Sequence, residues 1–215
     1  MKTKLGLYHS TFVIILVILF GSCTSMPNAD ILSGSDTCKP PCWMDIQPGT
    51  TKTDDVIEIL REHEINGEGK LTLLNSGIVR WQTTDGYNSY IYAVDNELVT
   101  KTEIDLRSTS IHLDDVIAIF GTPSKLDIGK ISDGYFFATI FYPEKGLAFV
   151  VGGNKFDLGS TTLSFTIQSD MVAVKGLFFQ PLDIPAIVNL LYGTNAVSEA
   201  LSDIQDWTGY GVYRE

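Results

Sequence analysis

A chain of 215 residues, 44% of them hydrophobic, is long enough for one or two domains with a buried core and needs no staple to hold it. Its formal charge of −11 sets it against phosphate backbones, and no basic cluster is visible along the sequence, so nucleic acid is excluded as an expected partner.

The first element, residues 1–22, reads as a secretory signal. Lys2 and Lys4 form a positive start, Thr11 to Phe20 (TFVIILVILF) an apolar run, and Gly21 and Ser22 precede Cys23. The run is ten residues long, about half of the roughly 20 that a membrane-spanning helix needs. Loss of this segment removes two lysines and no acid, which takes the mature chain to −13.

Phe20-Gly21-Ser22-Cys23 resembles the lipobox of bacterial lipoprotein precursors, with Phe20 where leucine is usual. The resemblance implies cleavage before Cys23 and diacylglycerol on its sulfur. With an acylated amine the lipid chains anchor stably, at about 0.8 kcal/mol per buried CH₂. The expected location is the cell envelope, on the outer face of a bacterial membrane. The expected partners are that membrane, through the lipid, and an envelope protein.

Residues 23–37 are small, polar and turn-rich and read as a flexible tether. Cys38 and Cys42 follow in Cys-Lys-Pro-Pro-Cys, one residue longer than a thioredoxin-type spacing. In an exported chain with one cysteine taken by lipid, the even remainder predicts a small structural disulfide, with free thiols as the alternative.

An internal repeat organises the rest. Asp54-Asp55-Val56-Ile57-Glu58-Ile59-Leu60 returns sixty positions later as Asp114-Asp115-Val116-Ile117-Ala118-Ile119-Phe120, with five of seven residues identical. Each copy places apolar residues at i, i+3 and i+4, one face of a helix. Thr51 and Asp54 have the spacing of a capping box, and Gly121 with Pro123 ends the second copy. A weaker echo, Val188 to Gly193, also ends in aromatic-glycine. Strands are predicted at 70–75, 78–84, 87–94 and 98–105, and again at 135–142, 147–152, 161–168 and 171–179, with connections short enough to demand antiparallel hairpins. The expected fold is α+β: two tandem modules (38–107 and 108–180), each a helix packed on an antiparallel β-meander, plus a helical C-terminal extension (181–215).

Pro41-Cys42-Trp43 and Ile46-Gln47-Pro48-Gly49-Thr50-Thr51, leading into Asp55-Val56, resemble a group of uncharacterised bacterial lipoproteins. The phrase Asp115 to Pro123 is similar to one in the small outer-membrane lipoprotein of the β-barrel assembly machinery, and the tandem plan is similar to that of β-lactamase inhibitory protein. These resemblances imply an α+β fold used for protein–protein contact, and fold alone does not dictate function.

Catalytic patterns are missing from the sequence. His63 and His112 lack metal spacing, no Gly-x-Ser-x-Gly elbow exists, and Gly152-Gly153-Asn154 lacks the lysine of a phosphate loop. The acid pairs Asp54-Asp55 and Asp114-Asp115 fall in helix first turns, where the positive dipole end favours carboxylates. No catalytic residue, metal ligand or cofactor is therefore expected. Aromatic residues supply the candidate contact surface instead. Trp81, Tyr90 and Tyr92 read as a stripe on the first sheet, either covered or open as a contact face. Tyr135 and Phe137 belong to a strand apolar on both sides, which reads either as a covered central strand or as a contact face. Trp207, Tyr210 and Tyr213 read as a tail packed back on the core. The expected function is a membrane-anchored binding or scaffold module. The alternatives are an envelope enzyme with a site of scattered carboxylates and tyrosines, or a ligand-binding sensor.

Overall fold

The structure, a computed structural model, describes residues 32, 36–62, 70–74, 77–82, 88–94, 97–130, 136–152 and 164–214. The export segment, Cys23, His63, Tyr135 and Gly153-Asn154 lie outside them. No helix among the described residues is long and apolar enough to cross a membrane.

Helix α1 (Thr53–Glu62) precedes four strands, β1 (Lys70–Leu74), β2 (Ile78–Gln82), β3 (Asn88–Val94) and β4 (Leu98–Asp105). Helix α2 (Leu113–Phe120) precedes β5 (Lys125–Lys130), β6 (Phe136–Tyr142), β7 (Leu147–Gly152), β8 (Ser164–Ile167) and β9 (Ala173–Phe179). The chain closes with α3 (Ile184–Tyr192), α4 (Val197–Asp203), β10 (Gln205–Asp206) and β11 (Gly211–Arg214).

The expectation of two separate modules is overturned. One antiparallel sheet of nine strands runs β1-β2-β3-β4-β9-β7-β6-β5-β10, and β4 pairs with β9 from Lys101 opposite Phe179 to Asp105 opposite Lys175. Ladder bonds across that seam leave both halves without a free inner edge, which favours fusion over two abutting units. The C-terminal region is not a helical extension either. β10 pairs with β5 and β11 with β8, so two short strands stitch the tail to the body.

Helix starts differ in detail from expectation. Thr51 does not cap α1 through Asp54; its Oγ1 accepts the Gln47 N–H at 2.8 Å and closes the preceding turn. In α2 the Asp115 carboxylate reaches back to the His112 N–H at 2.9 Å, so the second acid of the pair holds the helix start. Gly121, at φ 78°, ends α2 by donating to the Ile117 carbonyl.

One sheet face meets α1 and α2. Val56 and Leu60 of α1 and Leu113, Val116 and Phe120 of α2 join Val79, Trp81, Ile91, Ile104, Phe149 and Phe178 in the main core. Phe120 stacks on Phe149 with centroids 5.3 Å apart. Leu32, within the stretch read as tether, is buried in the same core. The opposite face is covered over its second half. Phe141, Ala148, Leu177 and Phe179 of β6, β7 and β9 pack with Ile187, Leu190 and Leu191 of α3. Strand β6 is therefore apolar on both sides because both sides are covered, except at Phe137 near its start. No described side chain of β1 to β4 belongs to this second cluster.

Candidate functional site

Strand alternation and register decide which side chains share the second face. Arg80 lies opposite Tyr90, Tyr90 opposite Glu103 and Glu103 opposite Leu177, one row crossing β2, β3, β4 and β9. The adjacent row runs Tyr92, Lys101, Phe179, and the row on the other side brings Asp105 opposite Lys175. The face is thus polar and aromatic over β2 to β4 and turns apolar where α3 begins to cover it.

Contacts within the patch are specific. Tyr90 and Tyr92 lie with ring centroids 6.0 Å apart, and the Lys101 ammonium sits 4.2 Å from the Tyr92 centroid. Glu103 is shared by two cations: Lys175 donates to Oε1 at 2.6 Å, and Lys101 Nζ lies 3.8 Å from Oε2. Tyr92 OH donates to the same Oε2 at 3.4 Å. Arg107 holds Asp105 through Nε at 3.0 and 3.1 Å and through Nη2. Arg80 has no ion pair among the described residues, and its Nε is buried without an acceptor. Burial, followed by the charge of Glu103, pushes the Tyr92 hydroxyl up to about 12. Burial also lowers Lys101, opposed by Glu103 and reinforced by nearby Lys175.

A cleft of about 370 Å³ adjoins the patch at the start of β4. Leu98, Val99, Leu182 and Leu190 supply its apolar wall, with Thr100, Gln180 and Glu97 as its polar side chains. Glu97 is the one carboxylate among its described lining residues. A second polar cluster lies beneath α3. Asp127 accepts the Tyr192 hydroxyl at 2.9 Å, and Thr139 stands 3.5 Å from that hydroxyl. Burial raises Asp127 above its ordinary value, partly opposed by the Tyr192 hydrogen bond.

The residues singled out from sequence are only partly brought together. Tyr90 and Tyr92 stand side by side on the patch, both half-buried. Trp81 pairs with Ser89 rather than Tyr90, so it faces the core, 5% exposed and stacked on Trp43 at 5.2 Å. Phe137 sits on the same face as the patch, 37% exposed, but on β6 beyond the covered region. Cys38 and Cys42 form a disulfide, and the Asp45 N–H donates to Cys38 Sγ at 3.0 Å. The acid pairs occupy the first turns of α1 and α2. His112, Asp114 and Asp115 bring ligand-type atoms within 4.8 Å of one another at the exposed start of α2, where Asp115 already serves the helix backbone.

Sequence reasoning missed the cations. Arg80, Lys101 and Lys175 come from three strands separated by up to 95 positions, so no linear cluster announces them. The available signal was alternation: Tyr90, Tyr92, Lys101 and Glu103 occupy same-side positions on neighbouring predicted strands. No protein-family model, curated protein or solved structure matches the chain.

Proposed function

We propose that the chain is a lipid-anchored lipoprotein of the bacterial envelope that binds a protein partner through the β2–β3–β4 face. The lipobox-like Phe20-Gly21-Ser22-Cys23 supports the anchor, and the tyrosine–lysine patch supports the contact. The single observation that carries the binding reading is the division of this face. Apolar residues of β6, β7 and β9 are sealed by α3, whereas Tyr90 and Tyr92 stay half-buried and interleaved with cations. Tyrosine and arginine are enriched among residues that dominate binding energy, because one side chain offers both apolar area and a polar tip.

A photo-crosslinking amino acid at position 90 in native membranes should capture one protein reproducibly, and the same probe at exposed Leu73 should not. Equal yields from both positions would remove the face from the reading. Lipid labelling tests the anchor separately: Cys23→Ala should abolish it, and undiminished labelling would sink that part.

The cleft favours a second reading, a ligand-binding sensor, since its volume and mostly apolar lining suit a small molecule. Leu190→Asp would then abolish ligand binding while leaving crosslinks at position 90 intact.

A further inference from the structure

The patch is a positive island on an acidic chain. Among the described residues, Arg80, Lys101, Arg107 and Lys175 stand against two carboxylates, Glu103 and Asp105, whereas the whole chain carries −11. The pairing within it leaves cations over. Arg107 is taken by Asp105, and Lys101 and Lys175 divide one carboxylate between them. Arg80 is unpaired among the described residues, one strand from Tyr90 and two from Glu103. A guanidinium beside half-buried rings has lost part of its hydration, and no described carboxylate supplies a counter-charge. That arrangement is costly until an acceptor arrives from outside.

We infer that the β2–β4–β9 face docks an acidic segment of the partner protein, with carboxylate side chains pairing with Arg80 and with Lys175, the more exposed of the two lysines on Glu103, while Tyr90 and Tyr92 take the adjoining apolar atoms. This rests on the binding reading above and adds the partner's chemistry. Carboxylate on guanidinium gives two parallel charge-assisted bonds, and the Tyr90 ring next to it keeps water away. The sign of the patch also sets it apart from the rest of the chain, which repels acidic partners, so docking is directed to this face. An anionic membrane is the weaker occupant. Headgroup recognition uses clusters of about four to eight basic residues, whereas three of the four described cations here already pair with Glu103 or Asp105.

The test is an NMR titration of the full chain in non-ionic detergent. The probes are a capped glutamate–threonine decapeptide, its glutamine–threonine and lysine–threonine counterparts, and phosphatidylglycerol-containing vesicles. The glutamate peptide should produce saturable shifts at Arg80, Tyr90, Tyr92, Lys101 and Lys175 that fade with salt. The Arg80→Gln/Lys175→Gln variant, checked for an unchanged circular dichroism spectrum, should bind it about ten-fold more weakly. No binding of the glutamate peptide, equal binding of another peptide, engagement of vesicles by the same residues, or full binding by the variant would each overturn the inference. The binding reading is judged apart from it. Crosslinks at position 90 to a neutral or basic partner segment would end the acidic inference and leave the face as a docking surface.

Discussion

The hydroxyl of Tyr192, at the last turn of α3, donates a 2.9 Å hydrogen bond to Asp127 on β5, a carboxylate only 8% exposed. Although 41% of Tyr192 is exposed, its polar end is turned inward, so one bond ties the covering helix to the sheet. Burial raises the Asp127 pKa above its ordinary value, and the charge of Asp203 adds to this, while the Tyr192 bond opposes both. A carboxyl with a raised folded-state pKa binds its proton more tightly in the native state than in the unfolded chain. Ionised Asp127 is therefore a cost at neutral pH. That cost is relieved as pH falls through the folded value toward the unfolded one. Asp127→Asn keeps an acceptor for Tyr192 and removes the titration. Urea unfolding at neutral pH and at about pH 4 should show the wild type gaining stability on this variant upon acidification. Tyr192→Phe should lose about 1 kcal/mol and show a larger acid-side gain than the wild type, because the bond that opposed the shift is gone. A pH-independent difference between wild type and Asp127→Asn would contradict the assignment.

The two faces of β2 and β3 separate folding from binding. Trp81 is buried against Trp43, so Trp81→Ala should cost about 3–5 kcal/mol in urea unfolding. Tyr90→Ala, on the half-buried face, should cost about 1 kcal/mol and abolish partner capture by a crosslinker placed at position 92. Retained capture in a well-folded Tyr90→Ala protein would remove Tyr90 from the contact.

Two glycines make opposite demands on their neighbours. A Cβ at Gly146 (φ 64°) would lie 2.0 Å from the backbone oxygen of Phe179, whereas one at Gly49 (φ 84°) would lie 1.8 Å from the flexible Gln180 amide. Gly146→Ala should therefore unfold the β7–β9 junction. Gly49→Ala should be milder, and in a Gln180→Ala background it should retain only the left-handed backbone cost of about 1–2 kcal/mol. Thermal melts of the three variants order these effects, and equal losses at both glycines would refute the distinction.

The disulfide closes a loop with a sequence separation of four. In the chain-entropy account so short a loop stabilises by roughly 2 kcal/mol, so Cys38→Ser/Cys42→Ser should lower the urea midpoint modestly without loss of fold. Intact-mass measurement of the wild type should find the pair two hydrogens lighter than the dithiol. Free alkylation of both thiols would show that the bond does not form.

Local order was legible in the sequence and non-local order was not. The i, i+3, i+4 pattern located α1 and α2, and alternation with turn residues placed β1 to β4 and β7 within a residue or two. Strand β5 escaped because Lys125–Lys130 offers only Leu126 and Ile128 as apolar alternates, between lysines and a glycine. The architecture was misread because the duplicated helices suggest separable units. Pairing between β4 and β9, some seventy positions apart, leaves no local trace. The side that Trp81 faces is hidden for the same reason: a strand's two sides are told apart by which residue its neighbour sets opposite, here Ser89. Strands β10 and β11, of two and four residues, are too short for periodicity to register.

Glu103 is the electrostatic centre of the patch, and its removal has effects of opposite visibility on its neighbours. It raises Tyr92 by its charge and by accepting the hydroxyl, and it holds Lys101 up against burial. In Glu103→Gln the Tyr92 hydroxyl should fall from about 12 yet stay above 10, because burial, the largest cause, persists. Lys101 should fall further below its ordinary value. A lysine with a lowered folded-state pKa costs stability while it is protonated, and the cost disappears as pH rises through that value. Glu103→Gln should therefore lose roughly 3 kcal/mol at neutral pH and recover part of it at alkaline pH. Lys101→Met added to Glu103→Gln should restore much of the loss, because an apolar chain of similar length replaces the uncompensated charge against the Tyr92 ring. ¹³C-tyrosine NMR titration and urea unfolding measure the two effects. A Tyr92 resonance that titrates identically in wild type and Glu103→Gln would show that the carboxylate and the hydroxyl do not interact.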